Sequence, residues 1–130
     1  MRGKPLAVFV LAAGILIVSA PAFSHHGTAS YDTTKLITVK GTVTDFEFTN
    51  PHVEIHLDVR DDKGTVVKWN AEASSPNLLT RVGWNKNTLK PGDQIAVTGN
   101  PPKNGSNHMR LTKILMPNGQ ELQPYVFTFE

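Results

Sequence analysis

Short segments in which apolar and polar residues alternate recur along this chain, and they limit it to a fold built from β-strands. The clearest segment runs from Ile37 to Phe48. Because the side chains of a strand point alternately to opposite faces, this spacing is typical of a strand with one buried face. Asn118-Gly119 predicts a hairpin that returns residues 120–122 to the last strand. Strands are predicted over residues 37–48, 53–59, 66–73, 94–99 and 109–116.

The interval between the third and fourth strands has the signals of a short helix. Ser75 is suited to cap a helix, Pro76 to occupy its first position, and Gly83 to end it. Three strands, a short helix and two strands is the order of an all-β, five-stranded OB-like barrel, whose helix lies between strands 3 and 4. Gly41 predicts the bulge or sharp bend that lets the first strand serve such a barrel. An open meander or a small sandwich is the alternative fold.

The first 24 residues have the composition of a cleavable secretory signal peptide. Arg2 and Lys4 supply its positive start, and an apolar stretch of 15 residues follows from Leu6 to Ala20. That stretch is shorter than the roughly 20 residues that span a bilayer, so we expect no membrane anchor after cleavage. Cleavage after Ser24 is favoured over cleavage after Ala22, because Pro21 suits the helix-breaking end of the apolar stretch better than the peptidase site itself. The protein is therefore predicted to be exported to a bacterial periplasm.

Cysteine content and charge narrow the classes of function. The chain has no cysteine, which excludes disulfides, lipidation of a thiol and thiolate metal sites. Removal of the signal peptide leaves 11 basic against 11 acidic residues. We expect no nucleic-acid partner, because nucleic-acid binding needs a basic surface. The composition does not exclude a small ligand or a periplasmic partner protein. The mature chain is predicted to form an N-terminal arm over residues 25–34 and a single OB-like domain over residues 35–130.

Histidines at the predicted mature terminus indicate a metal site. Cleavage after Ser24 makes His25 the first residue, so that its free amine and its imidazole could chelate one ion. His26 follows directly, and His52 stands at a strand end after Asn50-Pro51, where the arm could reach it. A partly open site with nitrogen ligands suits Cu(II). We therefore predict copper as the cofactor, with His25, His26 and His52 as its ligands.

Two other groups of polar side chains are candidates for binding. Glu54 and His56 face away from the apolar side of the second strand, about 6.6 Å apart along it, so they could meet on one ligand. A solvated outer face of the barrel is the simpler interpretation of this pair. His108 and Met109 together could bind Cu(I), but a single methionine at a strand start more often fills the core.

Two further functions are alternatives to copper binding. A non-metal module could bind a ligand or a partner protein on an aromatic face formed by Phe46, Phe48 and Trp84. An oxidative copper enzyme could use the same N-terminal chelate. The sequence has no nucleophile elbow and no phosphate-binding glycine loop. No catalytic residue is therefore predicted, and a binding role is favoured over enzymatic activity.

Several short motifs follow one another along the mature chain. They are His25-His26-Gly27 with Tyr31-Asp32, Gly41-Thr42-Val43 with Phe46 and Phe48, Thr49-Asn50-Pro51-His52, Ser75-Pro76-Asn77, Arg81-Val82-Gly83-Trp84 and Leu89-Lys90-Pro91-Gly92-Asp93. In this order they resemble a family of small exported bacterial proteins known as domain of unknown function 6152. The resemblance covers nearly all of the mature chain. It implies export and a barrel-like β domain, and it carries no established activity, so no catalytic residues follow from it.

Overall fold

The structure is a computed structural model, and it describes residues 28–125 of the chain. The signal peptide predicted over residues 1–24 and the arm histidines His25 and His26 lie outside the described residues. Within them, a 3₁₀ helix precedes five main strands, one short α-helix and a final strand of two residues. The bounds are Thr28–Ser30 for the 3₁₀ helix, Ile37–Glu47 (β1), Glu54–Arg60 (β2), Val66–Glu72 (β3), Pro76–Thr80 (α1), Gln94–Asn100 (β4), His108–Leu115 (β5) and Glu121–Leu122 (β6).

The strands close into a barrel. The hydrogen-bonded order is β3-β2-β1-β4-β5-β6, and an additional pairing of β3 with β5 joins the two sides. The closing pair is parallel and short, running from Asn70 opposite His108 to Glu72 opposite Arg110. The predicted five-stranded OB-like barrel with its helix between β3 and β4 is therefore confirmed. β6 folds back on β5, as the hairpin signal predicts.

The core consists of the side chains that alternate toward the inside. On β2, Ile55 and Leu57 are almost inaccessible to solvent, whereas Glu54 and His56 are half-buried on the outer face. Each buried aliphatic side chain stabilises the fold by about 1.5–3 kcal/mol, and no disulfide supplements the core. The core cluster comprises Val43, Val53, Ile55, Leu57, Ala71, Ala73, Leu79, Trp84, Leu89, Ile95, Val97, Met109, Leu111 and Ile114.

β1 changes partner along its length. Its first half pairs with β4 and its second half with β2. A Cβ atom on Gly41 would lie 2.7 Å from the carbonyl oxygen of Asp58, so glycine is needed for β2 to approach this closely. Gly41 marks the change of partner rather than a bulge, because its pairing with Ile95 is regular. The bulge lies further along β1, where the register shifts between Val43 and Asp45.

The helix α1 lies where the sequence predicts it. Ser75 is its N-cap residue and has an extended backbone, although its side chain makes no capping hydrogen bond. The helix ends at Thr80, and Gly83, with a φ of 89°, belongs to the turn that follows. Leu79 is fully buried and attaches α1 to the core. None of the helices within residues 28–125 is long and apolar enough to cross a membrane.

Candidate metal-binding site

The carboxylate of Glu72, at the end of β3, joins side chains from three distant parts of the chain. Nδ1 of His52 lies 2.9 Å from its Oε1 atom. The hydroxyl of Tyr31 donates a hydrogen bond of 2.7 Å to Oε2. Nε2 of His108 lies 3.5 Å from the same Oε2. Only 14% of the Glu72 side chain is exposed, so these contacts replace most of its hydration. We call Tyr31, His52, Glu72 and His108 the Glu72 cluster.

Backbone pairing holds His52 beside Glu72. The amide of Val53 donates to the carbonyl of Ser74 at 3.0 Å, and the amide of Ala73 donates to the carbonyl of Val53 at 2.8 Å. These two bonds continue the antiparallel ladder of β2 and β3 one step beyond the paired strands. His52 therefore enters the cluster from a fixed backbone, not from a free loop.

The closing pair of the barrel brings His108 to the same place. Its ring stacks on the ring of Tyr31, with centroids 5.6 Å apart and an interplanar angle of 22°. Its Nε2 atom lies 2.5 Å from the phenol oxygen. Since the phenol has a single proton and donates it to Glu72, Nε2 of His108 has to carry a hydrogen and donate it to Tyr31. This assignment makes Tyr31 both a donor and an acceptor within the cluster.

Contacts within the cluster shift the pKa values of Glu72 and Tyr31 in opposite directions. The adjacent His108 ring, followed by the Tyr31 hydroxyl and the charge of His52, lowers the pKa of Glu72 to about 2 in spite of burial, which opposes the change. Burial, reinforced by the hydrogen bond to Glu72 and by its charge, raises the pKa of Tyr31 well above its usual range. At neutral pH the cluster thus contains an ionised carboxylate and a protonated phenol.

A cavity of about 260 Å³ opens at the Glu72 cluster. Besides Tyr31, His52 and Glu72, its walls include Ser74, Arg110 and Tyr125. Polar groups from several elements thus converge on a space large enough for an ion with its remaining ligands or for a few water molecules.

The tautomer of His52 determines what the cluster can bind. A neutral imidazole that donates from Nδ1 to a carboxylate carries its lone pair on Nε2. This is the arrangement in which a carboxylate orients a histidine that binds a metal, and it raises the basicity of the ligand nitrogen. His52 thus has a carboxylate oxygen 2.9 Å from Nδ1, the neighbour that a metal-binding histidine usually has.

The structure describes one of the three predicted copper ligands. It puts His52 in the Glu72 cluster, whereas His25 and His26 lie outside the described residues and stay predictions. His108 and Met109 do not form a ligand pair, because Met109 is fully buried in the core and His108 points to the outer face. The expectation that a methionine at this strand start fills the core is confirmed.

Sequence reasoning missed Glu72 and Tyr31 as members of the site. Glu72 occupies an outward position at the end of β3, which the alternation identifies as a surface position and nothing more. The contact between Tyr31 and His108 spans 77 positions of the sequence. No local spacing links these residues, so the Tyr31-Asp32 motif does not reveal that Tyr31 contacts Glu72 and His108.

The predicted aromatic face does not form. Trp84 is only 3% exposed and belongs to the core, and Phe46 and Phe48 pack against that core. The centroid of the Phe46 ring lies 5.9 Å from that of Phe48 and 6.5 Å from that of Trp84, as in an interior aromatic cluster. Trp84 therefore does not share an exposed groove with Phe46 and Phe48, which are half-buried.

Strand order and closure place the protein in the class of small OB-type barrels. Within that class, the chain belongs to the family described as "Family of unknown function (DUF6152)", which it matches over residues 12–111. The resemblance carried by its motifs is thereby confirmed. No curated protein sequence matches the chain.

Solved structures with similar folds include three nucleic-acid-associated proteins. TiaS, in a complex with an isoleucine tRNA and ATP, matches with 20% identity and a TM-score of 0.47 over 66% of this chain, which spans only 19% of that chain. Rim1, a mitochondrial single-stranded DNA-binding protein of S. cerevisiae, matches with 10% identity and a TM-score of 0.45, covering 69% of this chain and 96% of Rim1. A small single-stranded DNA-binding protein from Streptomyces coelicolor matches with 16% identity and a TM-score of 0.43, covering 66% and 94%.

Proposed function

We propose that the mature protein is an exported periplasmic copper-binding module, whose ion is held by His25, His26 and His52. The observation that carries this proposal is the 2.9 Å contact between Nδ1 of His52 and Oε1 of the buried Glu72 carboxylate. A bound metal ion takes the neutral form of an imidazole, and a His52 ring that keeps its proton on Nδ1, beside the carboxylate, offers Nε2 as the ligand nitrogen.

The length of the arm supports the participation of His25 and His26. Tyr31, which is bonded to Glu72, follows His25 by six residues. A chain of this length spans about 20 Å when fully extended, so the arm is tethered within reach of His52. Backbone hydrogen bonds from Asp32 to Pro101 and from Lys103 to Ser30 hold this part of the arm on the barrel.

The chemistry of the donors supports copper over other ions. A terminal amine and up to three imidazoles form a set of nitrogen ligands, and among divalent first-row ions such a set binds Cu(II) most tightly. The chain has no cysteine that could favour a thiolate site instead. Met109 is buried, so the described residues add no thioether from that position to favour Cu(I).

Charge argues against the ligand class that OB-type barrels often take. Such barrels bind oligonucleotides mainly on the face of strands 2 and 3. Here, that face carries Glu54 opposite Glu72 in the strand register, and Tyr31 and His52 border it. Carboxylates repel a phosphate backbone and attract cations.

Cu(II) binding to the natively processed protein tests the proposal. Mass spectrometry first establishes the terminal residue, and half an equivalent of Cu(II) is then added so that the tightest site fills first. We expect an electron paramagnetic resonance spectrum with coupling to several nitrogens. The His52→Ala variant should lose one of them and bind at least about tenfold more weakly, because even indirect partners of metal sites change affinity by 10–100-fold.

Two variants and one terminal change serve as controls. His56→Gln alters a histidine outside the Glu72 cluster, so the spectrum should stay as in the unmodified protein. His25→Ala with His26→Ala, or an added residue ahead of His25, should abolish the high-affinity signal. Equal Cu(II) affinity with and without the arm histidines would refute the proposal.

A further inference from the structure

A second group of metal-type ligands lies on the outer face of β1 and β2, apart from the Glu72 cluster. Asp45, Glu47 and His56 each offer one ligand atom, and these three atoms lie within 4.8 Å of one another. Ligands that bind an ion at about 2.1 Å lie about 3–4 Å apart, so small side-chain rotations suffice to share one ion. Among residues 28–125, no other group of three histidine or acidic side chains converges in this way.

The bulge in β1 creates this arrangement. The register with β2 shifts between Val43 and Asp45, so that Asp45 lies opposite His56. Without the extra residue, Asp45 would pair with Ile55 and point into the core. The bulge therefore turns both acidic side chains of β1 outward, toward the imidazole. Bulges often have this role of re-aiming side chains beside a site.

Two buried polar side-chain atoms on β2 and β3 make no hydrogen bond. They are Nε2 of His56 and Oδ1 of Asn70. Within residues 28–125, no other buried side-chain nitrogen or oxygen atom lacks a hydrogen-bond partner. His56 and Asn70 face each other across β2 and β3, so Asp45, His56 and Asn70 form one row over three strands. Nε2 of His56 thus makes no hydrogen bond within the fold that a bound cation would have to displace.

The charges around His56 favour an ion. Its Nε2 lies 3.5 Å from Oε2 of Glu47 and 3.8 Å from Oε2 of Glu54, and neither contact is a hydrogen bond. The nearby ammonium group of Lys68 pairs with Asp58. Three carboxylates thus surround one imidazole that can carry at most a single positive charge. A divalent cation would neutralise this excess and complete the coordination of Nε2.

We propose that Asp45, Glu47 and His56 form a second cation site, which takes a divalent first-row ion such as Mn²⁺ or Zn²⁺. Two carboxylates and one imidazole, open to solvent on one side, suit these ions. Asn70 pairs with His56 in the strand register and donates from its amide nitrogen to Oε2 of Glu54 at 3.3 Å. This site uses no residue of the arm, so it does not depend on the proposed copper site.

Titration of the full mature protein with Mn²⁺ alone tests this site. The signal of free Mn²⁺ in electron paramagnetic resonance reports the bound fraction, and we expect about one equivalent to bind. His56→Gln, and separately Asp45→Asn with Glu47→Gln, should each weaken binding at least about tenfold, because they remove direct ligands. All these positions are on the outer face, and circular dichroism checks that each variant is folded.

Matched controls separate this site from its neighbours. Asp58→Asn removes a carboxylate from the same face of β2, but one that is paired with Lys68, so Mn²⁺ affinity should not change. His25→Ala with His26→Ala should also leave Mn²⁺ binding intact, whatever its effect on copper. If folded His56→Gln and Asp45→Asn/Glu47→Gln variants bind Mn²⁺ as the unmodified protein does, the proposal is wrong. The cluster would then consist of cross-strand ion pairs only.

Discussion

Among single residues, Glu72 connects segments that are far apart in the sequence. Its carboxylate contacts the arm through Tyr31, the loop before β2 through His52, and the closing strand through His108. A carboxylate with this many donors is held ionised, and its low pKa expresses the free energy of those contacts. Glu72 is therefore at once a structural link and the residue that orients His52.

The low pKa of Glu72 predicts a defined loss of stability in acid. Because the folded-state pKa of about 2 is below the ordinary 4.5, the ionised carboxylate stabilises the fold above pH 4.5. That contribution is lost as the pH falls toward 2, and in full it amounts to about 3 kcal/mol. Glu72→Gln removes it. In urea denaturation with a chelator present, the gap between unmodified protein and variant should shrink by about 2 kcal/mol from pH 6 to pH 3.

Glu121→Gln is the matched control for this measurement. Glu121 is exposed and pairs only across the surface with Lys113, so its loss should change stability little at either pH. A gap for Glu72→Gln that stays constant over this range would contradict the assigned role of the carboxylate.

Among the elements, the start of the described chain is attached to the barrel through one side chain and a few backbone bonds. Tyr31 is buried between Glu72 and His108, and its backbone forms an isolated antiparallel bridge with Pro102. The 3₁₀ helix before it contributes the carbonyl of Ser30 as an acceptor for Lys103. This anchoring brings the part of the chain that follows His25 and His26 to the same cavity as His52.

Tyr31→Phe should loosen this anchor without disturbing the barrel. It removes the hydroxyl that bonds a charged group, an interaction of about 1.5–3 kcal/mol. In hydrogen exchange, the amides of Asp32 and Lys103, which bond across this junction, should exchange at least about tenfold faster, whereas those of β1 and β2 should not change.

Tyr125→Phe is the comparison for the Tyr31 variant. Tyr125 lines the same cavity, and its hydroxyl makes a longer bond of 3.4 Å to the carbonyl of Leu111. It should leave the exchange of Asp32 and Lys103 unaffected. Equal exchange in Tyr31→Phe and the unmodified protein would show that the phenol does not hold the arm.

The bulge in β1 also shapes a candidate site. One extra residue in β1 reverses the direction in which the later side chains of this strand point. Phe46 therefore lies over the core, and Asp45 and Glu47 point outward. The alternation of apolar and polar residues is compatible with this outcome but does not reveal where the extra residue lies. The proposed second cation site depends on that position.

Over the whole molecule, barrel closure gathers acidic and histidine side chains on one outer face. In the strand register, Asp45, His56, Asn70 and His108 form one row across β1, β2, β3 and β5, and Glu47, Glu54, Glu72 and Arg110 form the next. Both the Glu72 cluster and the Asp45–Glu47–His56 site draw on these rows. The barrel thus has an outer face rich in carboxylates and histidines. Other OB-type barrels often bind oligonucleotides on the corresponding face.

This charge distribution predicts that the chain without its predicted signal peptide does not bind single-stranded DNA. Residues 25–130 contain 11 basic and 11 acidic residues, and carboxylates lie on the sheet face, so that little counterion release is available to drive binding. Fluorescence anisotropy with a labelled oligonucleotide at about 0.1 M salt should show no saturable change, with a known single-stranded DNA-binding protein as positive control. Saturable binding that weakens steeply with added salt would contradict the prediction.

Local patterns in the sequence were sufficient to predict the strands, the helix and their order, because these follow from alternation and from cap and turn residues. They also singled out His52 at a strand end and the outward facing of Glu54 and His56. The candidate sites required the folded barrel. The short β3–β5 seam brings His108 to Tyr31 and Glu72, and the bulge brings Asp45 to His56. Contacts between positions so far apart depend on register and closure, which no local pattern encodes.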